Sequence, residues 1–180
     1  FENPQIPESA HTYRMLCILS ARRLARMMAL MGEEGLATRY RKIADEKTRQ
    51  IEARPTVVGS FGVHALAEAV LAGLGTDTVV AALSRKSFAD RLQRLSYSPF
   101  NQFFIIQAMA RSGLYGDALG TIRDCWGGQI RYGGTSFFEV YRPSWNAMLR
   151  PNDPPPNNQC GYTSLCHPWS AGVTRWLSGY

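Results

Sequence analysis

Apolar residues recur at intervals of three and four along most of this chain, and glycine or proline interrupts the pattern. Such spacing aligns apolar side chains on one face of an α-helix. One run ends at Gly32 and the next at Pro55, with a very short turn between them, which predicts an antiparallel helical hairpin. We interpret the Met-rich stripe of the first run as core. That stripe comprises Tyr13, Leu16, Cys17, Leu24, Met27, Met28 and Met31.

The middle of the chain continues the helical pattern with one exception. Residues 63–72 predict a third helix, and a fourth, which Asp77 caps, runs toward Leu92. Between the first hairpin and the third helix, Val57 to Ser60 reads as a short strand. A strand of that length does not found a sheet, so the fold class stays all-α.

The last predicted hairpin is the most apolar. Pro99 opens a helix that is apolar nearly all round and ends at Gly113, and Gly116 to Ile130 forms its partner. Three hairpins in sequence, each about forty to fifty residues, are typical of helix-pair solenoids and toroids. The apolar character of the Pro99 helix favours inner helices that outer ones shield, as in an α/α toroid.

Composition and charge exclude several classes of protein. The chain has 180 residues, of which 45% are hydrophobic and 19% charged, so we predict one globular domain over residues 1–180. No apolar run has the length of a membrane-spanning helix. The net charge of +6 comes from arginines on polar helix faces or among acidic residues, so we expect no nucleic-acid partner. Because Phe1 and Tyr180 look like cut ends, we expect a C-terminal fragment of a larger protein.

Two strings near the C-terminus carry the chemistry. Residues 133–139 place Glu139 behind a small-residue turn and two aromatics, and residues 164–172 combine His167 with Trp169. A carboxylate that faces an aromatic ring and a histidine is typical of sugar-cleaving sites. We expect Glu139, His167 and Trp169 to converge on one concavity. A stiff loop with polar members separates the strings, and it contains Pro151, Asn152, Asp153, Pro154, Pro155, Pro156, Asn157 and Asn158.

These strings, together with residues 98–117 and 123–128, resemble the C-terminal part of the catalytic domain of α-L-rhamnosidases, and the similarity covers essentially the whole chain. The resemblance implies an (α/α)6 toroid with six inner and six outer helices. It also implies hydrolysis of terminal α-L-rhamnosides with inversion, without a cofactor. The rest of the same enzyme, or another chain, would then complete the toroid.

The resemblance also implies roles for single residues. Glu139 matches the general base, which activates water on the face opposite the leaving group, and His167 matches a sugar-contacting histidine. Phe138 stands where Trp is common and keeps an aromatic wall for the substrate, while Trp169 is a further substrate-binding candidate. The general acid of this family lies upstream, and residues 1–132 contain no match for it.

Several alternatives stay open. Another α/α-toroid glycosidase, such as a glucosidase or uronyl hydrolase, fits the same helical pattern, and so does a non-catalytic helical-repeat or carbohydrate-binding module. Cys160, Cys166 and His167 lie close in sequence, but no Cys-x-x-Cys completes a zinc site, so we predict no metal. The same two cysteines pair in a disulfide if the protein is secreted, which we favour slightly, although no Asn-x-Ser/Thr sequon is present.

Overall fold

A computed structural model of the chain describes residues 7–74, 78–96, 98–150 and 163–180. Every regular element in these segments is helical, which confirms the predicted all-α class. Contacts divide the chain into two compact units, residues 1–87 and residues 88–180. A single domain over residues 1–180 stays a prediction. The elements are α1 (Pro7–Leu30), α2 (Glu34–Glu52), α3 (Pro55–Val58), α4 (Val63–Ala72), α5 (Thr78–Ala89), α6 (Arg91–Arg94), α7 (Pro99–Arg111), α8 (Tyr115–Arg131), α9 (Trp145–Met148), a 3-10 turn (Pro168–Ala171) and α10 (Gly172–Gly179).

The first predicted hairpin is present: α1 and α2 pack against each other in the first unit. Gly32 makes the turn between them with a φ of 79°, a left-handed conformation that favours glycine. Small residues of α2, among them Ala37 and Ala44, are fully buried. Their size lets the two helix backbones approach closely.

Helix α4 does not form a hairpin with α5 as expected; it packs chiefly against α1. The reason lies at its two ends. The carboxylate of Glu8 accepts hydrogen bonds from the backbone N–H groups of His64 (2.9 Å) and Ala65 (3.4 Å) at the start of α4. Arg22 donates to the carbonyl oxygen of Ala72 at the end of α4. The negative charge of Glu8 at the N-terminus of α4 and the positive charge of Arg22 at its C-terminus both interact favourably with the helix dipole.

Two local predictions are wrong. Val57 to Ser60 is not a strand, because Pro55 starts a helical turn and the N–H of Val57 bonds the carbonyl of Arg54 at 2.9 Å. The fourth helix stops at Ala89 rather than Leu92. Asp90 is extended there, and its carboxylate caps the short α6. The predicted cap of the fourth helix, Asp77, lies outside the described residues.

The interpretation of the Met-rich stripe as core is also wrong. Tyr13 is 63% exposed, Met27 48% and Met31 66%, and Cys17 is only half-buried. The buried face of α1 is a different one, formed by Thr12, Met15, Ile18, Leu19, Ala21 and Ala25. Helix α1 is therefore apolar on two opposite faces, and periodicity alone does not tell which of them α2 and α4 cover.

The second unit centres on α7 and α8, the last predicted hairpin, which is confirmed. Pro99 begins α7, and Ile105, Ile106 and Met109 on it are fully buried. Helix α10 also packs on α7, where the indole N–H of Trp176 donates to the carbonyl of Ile106 at 2.9 Å. None of the helices in the described segments has both the length and the apolar run that crossing a bilayer requires.

Candidate active site

The two C-terminal strings lie side by side in the second unit. The backbone N–H of Glu139 donates to the carbonyl of Ser164 at 2.9 Å, and the N–H of His167 donates to the carbonyl of Phe137 at 2.7 Å. The hydroxyl of Ser136 adds a bond to the carbonyl of Leu165. These bonds run antiparallel and hold the carboxylate string against the histidine string.

The same pairing fixes the carboxylate of Glu139. Its Oε2 atom accepts a hydrogen bond from the backbone N–H of Ser164 at 2.9 Å. Nδ1 of His167 lies 3.6 Å from the same oxygen. The side chains are 24% and 32% exposed respectively, so both are held by protein and still reach solvent. An oriented, half-exposed carboxylate beside an imidazole suits proton transfer or the binding of a polyol.

An aromatic ledge adjoins this pair. The ring of Trp169 lies 4.3 Å from the His167 ring and stacks on Phe100 at 5.1 Å, with 26° between the planes. Trp169 remains 42% exposed although two rings contact it. The structure therefore brings Glu139, His167 and Trp169 together, as expected from the sequence, while a concavity that all three line stays a prediction. An exposed indole next to hydrogen-bonding groups is a surface that suits the apolar face of a sugar ring.

Phe138 occupies a different place from the one expected. It is 3% exposed and packs edge-on against Tyr132 at 6.1 Å. The expectation that it forms an aromatic wall toward the substrate is therefore corrected: Phe138 belongs to the core below Glu139. Side chains alternate in an extended segment, so burying Phe138 turns the neighbouring Glu139 outward.

Helix α8 supplies the support for this segment. The amide oxygen of Gln129 accepts the backbone N–H of Phe138 at 2.9 Å, and Ser170 donates to the carbonyl of Phe138 at 2.6 Å. The indole N–H of Trp126 donates to the carbonyl of Ser170 at 2.9 Å. Both strings are thus anchored to one helix. Trp126 itself is buried.

The glycine pair that precedes the aromatics has a steric reason. Gly133 has a φ of 99°, and the N–H of Gly134 bonds the carbonyl of Gln129 at 2.9 Å. A Cβ on Gly134 would lie 2.8 Å from the Phe138 ring and 2.9 Å from that carbonyl oxygen. Only glycine lets the chain turn back this closely over the end of α8.

His167 is oriented by the residue that follows it. It is extended, with φ −125° and ψ 104°, and Pro168 begins the 3-10 turn that carries Trp169. A residue before proline is restricted to such extended conformations. The His-Pro-Trp order therefore sets the direction from which both rings approach Glu139.

Several groups of this unit that lie away from Glu139 have shifted pKa values, and they are structural. Burial raises the pKa of the Cys125 thiol to about 12, and that of the Tyr141 hydroxyl to about 12. A hydrogen bond from Arg91 at 2.7 Å lowers the pKa of Asp124. These groups hold α8 in place and do not face Glu139 in any described contact.

One buried acid lies in the first unit. Glu68 on α4 is 1% exposed, and burial raises its pKa to about 8. Its Oε2 atom has no hydrogen-bond partner among the described residues. A protonated carboxyl has the charge state of a general acid, but its burial keeps Glu68 from any substrate.

Sequence reasoning missed the supporting residues Ser164, Gln129 and Ser170. Ser164 contacts Glu139 through its backbone, so its residue type gave no signal. Gln129 gave a detectable signal, since it is a glutamine on the buried side of the last turns of α8.

No group of metal-ligating side chains lies in the described segments. The predicted loop 151–158 and Cys160 lie outside the described residues; Cys166 is exposed.

Comparison with known proteins adds no further assignment: no family model, no curated protein and no solved structure matches this chain.

Proposed function

We propose that the chain is part of an inverting glycoside hydrolase that removes terminal α-L-rhamnose, with Glu139 as the general base. The observation that supports this most is the position of the Glu139 carboxylate, 2.9 Å from the Ser164 N–H and 3.6 Å from the His167 imidazole. A carboxylate held in this way costs little reorganisation when it accepts a proton from water.

The two carboxylate oxygens have different surroundings. Oε2 accepts the Ser164 N–H and faces His167, while Oε1 accepts no hydrogen bond from the described residues. Oε1 is therefore the oxygen that takes the proton of the attacking water. His167 and Trp169 bind the sugar from the side. The imidazole of His167 hydrogen-bonds to hydroxyl groups of the sugar, and the indole of Trp169 packs against the apolar face of the sugar ring.

We further propose that another segment of polypeptide, from the same enzyme or a second chain, completes an (α/α)6 toroid and supplies the general acid. The exposed stripe on α1 supports this. Large apolar residues at helical spacing on a second face of one helix are normally covered by a partner element.

Hydrolysis of an activated aryl α-L-rhamnoside tests the proposal. A dinitrophenolate leaves without protonation, so the assay depends on the base and not on the acid. Release of the phenol with β-L-rhamnose as the first product, followed by NMR, is the expected result. The α-anomer as first product would exclude inversion.

A panel of substrates separates the alternatives. Release only from a glucoside or an unsaturated uronide would assign another toroidal glycosidase. No release from any glycoside, combined with binding of free rhamnose that depends on Trp169, would assign a carbohydrate-binding module. In that case the protein would catalyse no reaction of a sugar that depends on Glu139.

A further inference from the structure

A separate cavity of about 430 Å³ lies between α7 and α10 in the second unit. Phe103, Trp176 and Tyr180 form its aromatic walls, and the polar side chains that line it are Gln107, Arg175 and Ser178. This volume and this mixture of aromatic walls with few polar groups are typical of small-molecule sites. None of the candidate catalytic residues lines the cavity.

The walls are fixed rather than loose. The indole N–H of Trp176 is bonded to the carbonyl of Ile106 at 2.9 Å, and its ring lies 5.3 Å from the Tyr180 ring. Gly172 lies so close to Phe103 that a Cβ there would be 2.6 Å from the ring. The aromatic surface is therefore held in position from both helices.

Arg175 gives the cavity its charge. It is exposed, and no carboxylate of the described residues forms an ion pair with its guanidinium. A guanidinium without a partner beside aromatic walls presents a fork of donors that matches a carboxylate. The amide of Gln107, in the same cavity, adds a neutral donor and acceptor.

A continuous line of rings joins this cavity to the candidate active site. Phe103 lies 5.7 Å from Phe104, which lies 5.3 Å from Phe100. Phe100 stacks on Trp169 at 5.1 Å, and Trp169 lies 4.3 Å from His167. All of these rings except Trp169 are at least partly buried, and all belong to the second unit. The candidate active site and the cavity are therefore linked by packed aromatic side chains.

We propose that the cavity binds an aromatic carboxylate. The ring packs between Phe103 and Trp176, and the carboxylate pairs with Arg175. Binding of the aromatic acid does not rest on the proposed function.

Calorimetric titration of the full chain with para-hydroxybenzoate and with its uncharged methyl ester tests the proposal. We expect the acid to bind saturably and about fivefold more tightly than the ester, the preference that a partly exposed ion pair gives. Arg175→Ala should abolish this preference, and Arg175→Lys should keep part of it, because lysine keeps the charge and loses the fork. Arg123→Ala, an exposed arginine of α8 outside the cavity, is the control for net charge and should leave both affinities unchanged.

Equal affinities for acid and ester, or an Arg175→Ala variant that binds the acid as well as the parent protein does, would overturn the proposal. Glu139→Gln separates this result from the hydrolase assignment. It should leave acid binding unchanged, so a failed hydrolysis assay with intact binding counts only against the proposed function. Loss of acid preference with intact hydrolysis counts only against the cavity.

Discussion

Glu139 and Ser164 bond each other twice: the N–H of Glu139 donates to the carbonyl of Ser164, and the N–H of Ser164 donates to the carboxylate of Glu139, both at 2.9 Å. One bond fixes the backbone and the other fixes the side chain. The position of the candidate base therefore does not depend on packing around the carboxylate, which stays partly open to solvent.

Glu139→Gln should reduce hydrolysis of an aryl rhamnoside by roughly two to four orders of magnitude, because an amide keeps the shape and the Ser164 bond but accepts no proton. The unfolding temperature should be unchanged. Steady-state kinetics and thermal unfolding monitor both effects. Glu46→Gln, an exposed glutamate of α2, is the matched control, and hydrolysis by Glu139→Gln at the parent rate would contradict the assignment.

Trp169→Ala should weaken the binding of rhamnose with little change in stability, because Trp169 is 42% exposed. Trp126→Ala is the matched contrast. It removes a buried indole and its bond to Ser170, and should cost about 3–5 kcal/mol of unfolding free energy. Sugar titrations and denaturant unfolding distinguish the two effects. A large loss of stability in Trp169→Ala would show that Trp169 is part of the core and not of an exposed binding surface.

Glu68 should make the stability of the chain depend on pH. Its pKa rises from 4.5 in the unfolded chain to about 8 in the fold, so the folded state binds more protons between these values. Stability should therefore fall as pH rises from about 5 to about 8, by up to about 1.4 kcal/mol per pH unit, and level off above pH 8.

Glu68→Gln should remove this slope, since an amide does not titrate. Denaturant unfolding at several pH values measures it, with Glu46→Gln as an exposed control that keeps the slope. A parent protein whose stability stays constant from pH 5 to 8 would show that Glu68 is ionised in the fold.

The exposed stripe on α1 provides a fourth prediction. In the chain alone, Met27→Lys combined with Met31→Lys should lower the binding of a hydrophobic dye and any self-association, without lowering the unfolding temperature, because both side chains reach solvent. Met15→Lys, at a fully buried position on the opposite face, should unfold the protein. Dye fluorescence, sedimentation and thermal unfolding are the measurements. If the double variant is as unstable as Met15→Lys, the stripe is buried within this chain.

The sequence predicted the elements better than their contacts. The helix that Pro99 opens and its partner α8 were predicted almost to their ends, because proline and glycine mark both boundaries locally. The face of α1 that Met27 and Met31 occupy was misassigned, since two opposite faces carry apolar residues and only tertiary contacts choose between them. Val57 and Val58 favour strands, but the proline before them started a helical turn.

In the candidate site, too, the residues were predicted better than their contacts. Glu139, His167 and Trp169 were named from residue type and order, and the structure brings them together. The burial of Phe138 was missed because its role as an aromatic wall was taken from the resemblance and not from alternation along the segment, which places Phe138 inward and Glu139 outward. Ser164 contacts Glu139 only through backbone atoms, so its residue type does not mark this role.

The two hydrogen bonds between Glu139 and Ser164 join the ends of a segment in which the two residues are 25 positions apart. The entropy cost of closing such a segment rises by only about 0.6 kcal/mol for each doubling of its length. Residues inserted or removed between positions 150 and 163 should therefore leave the carboxylate where it is. Under the proposed function, this segment can therefore vary in length while the general base that activates the attacking water keeps its position.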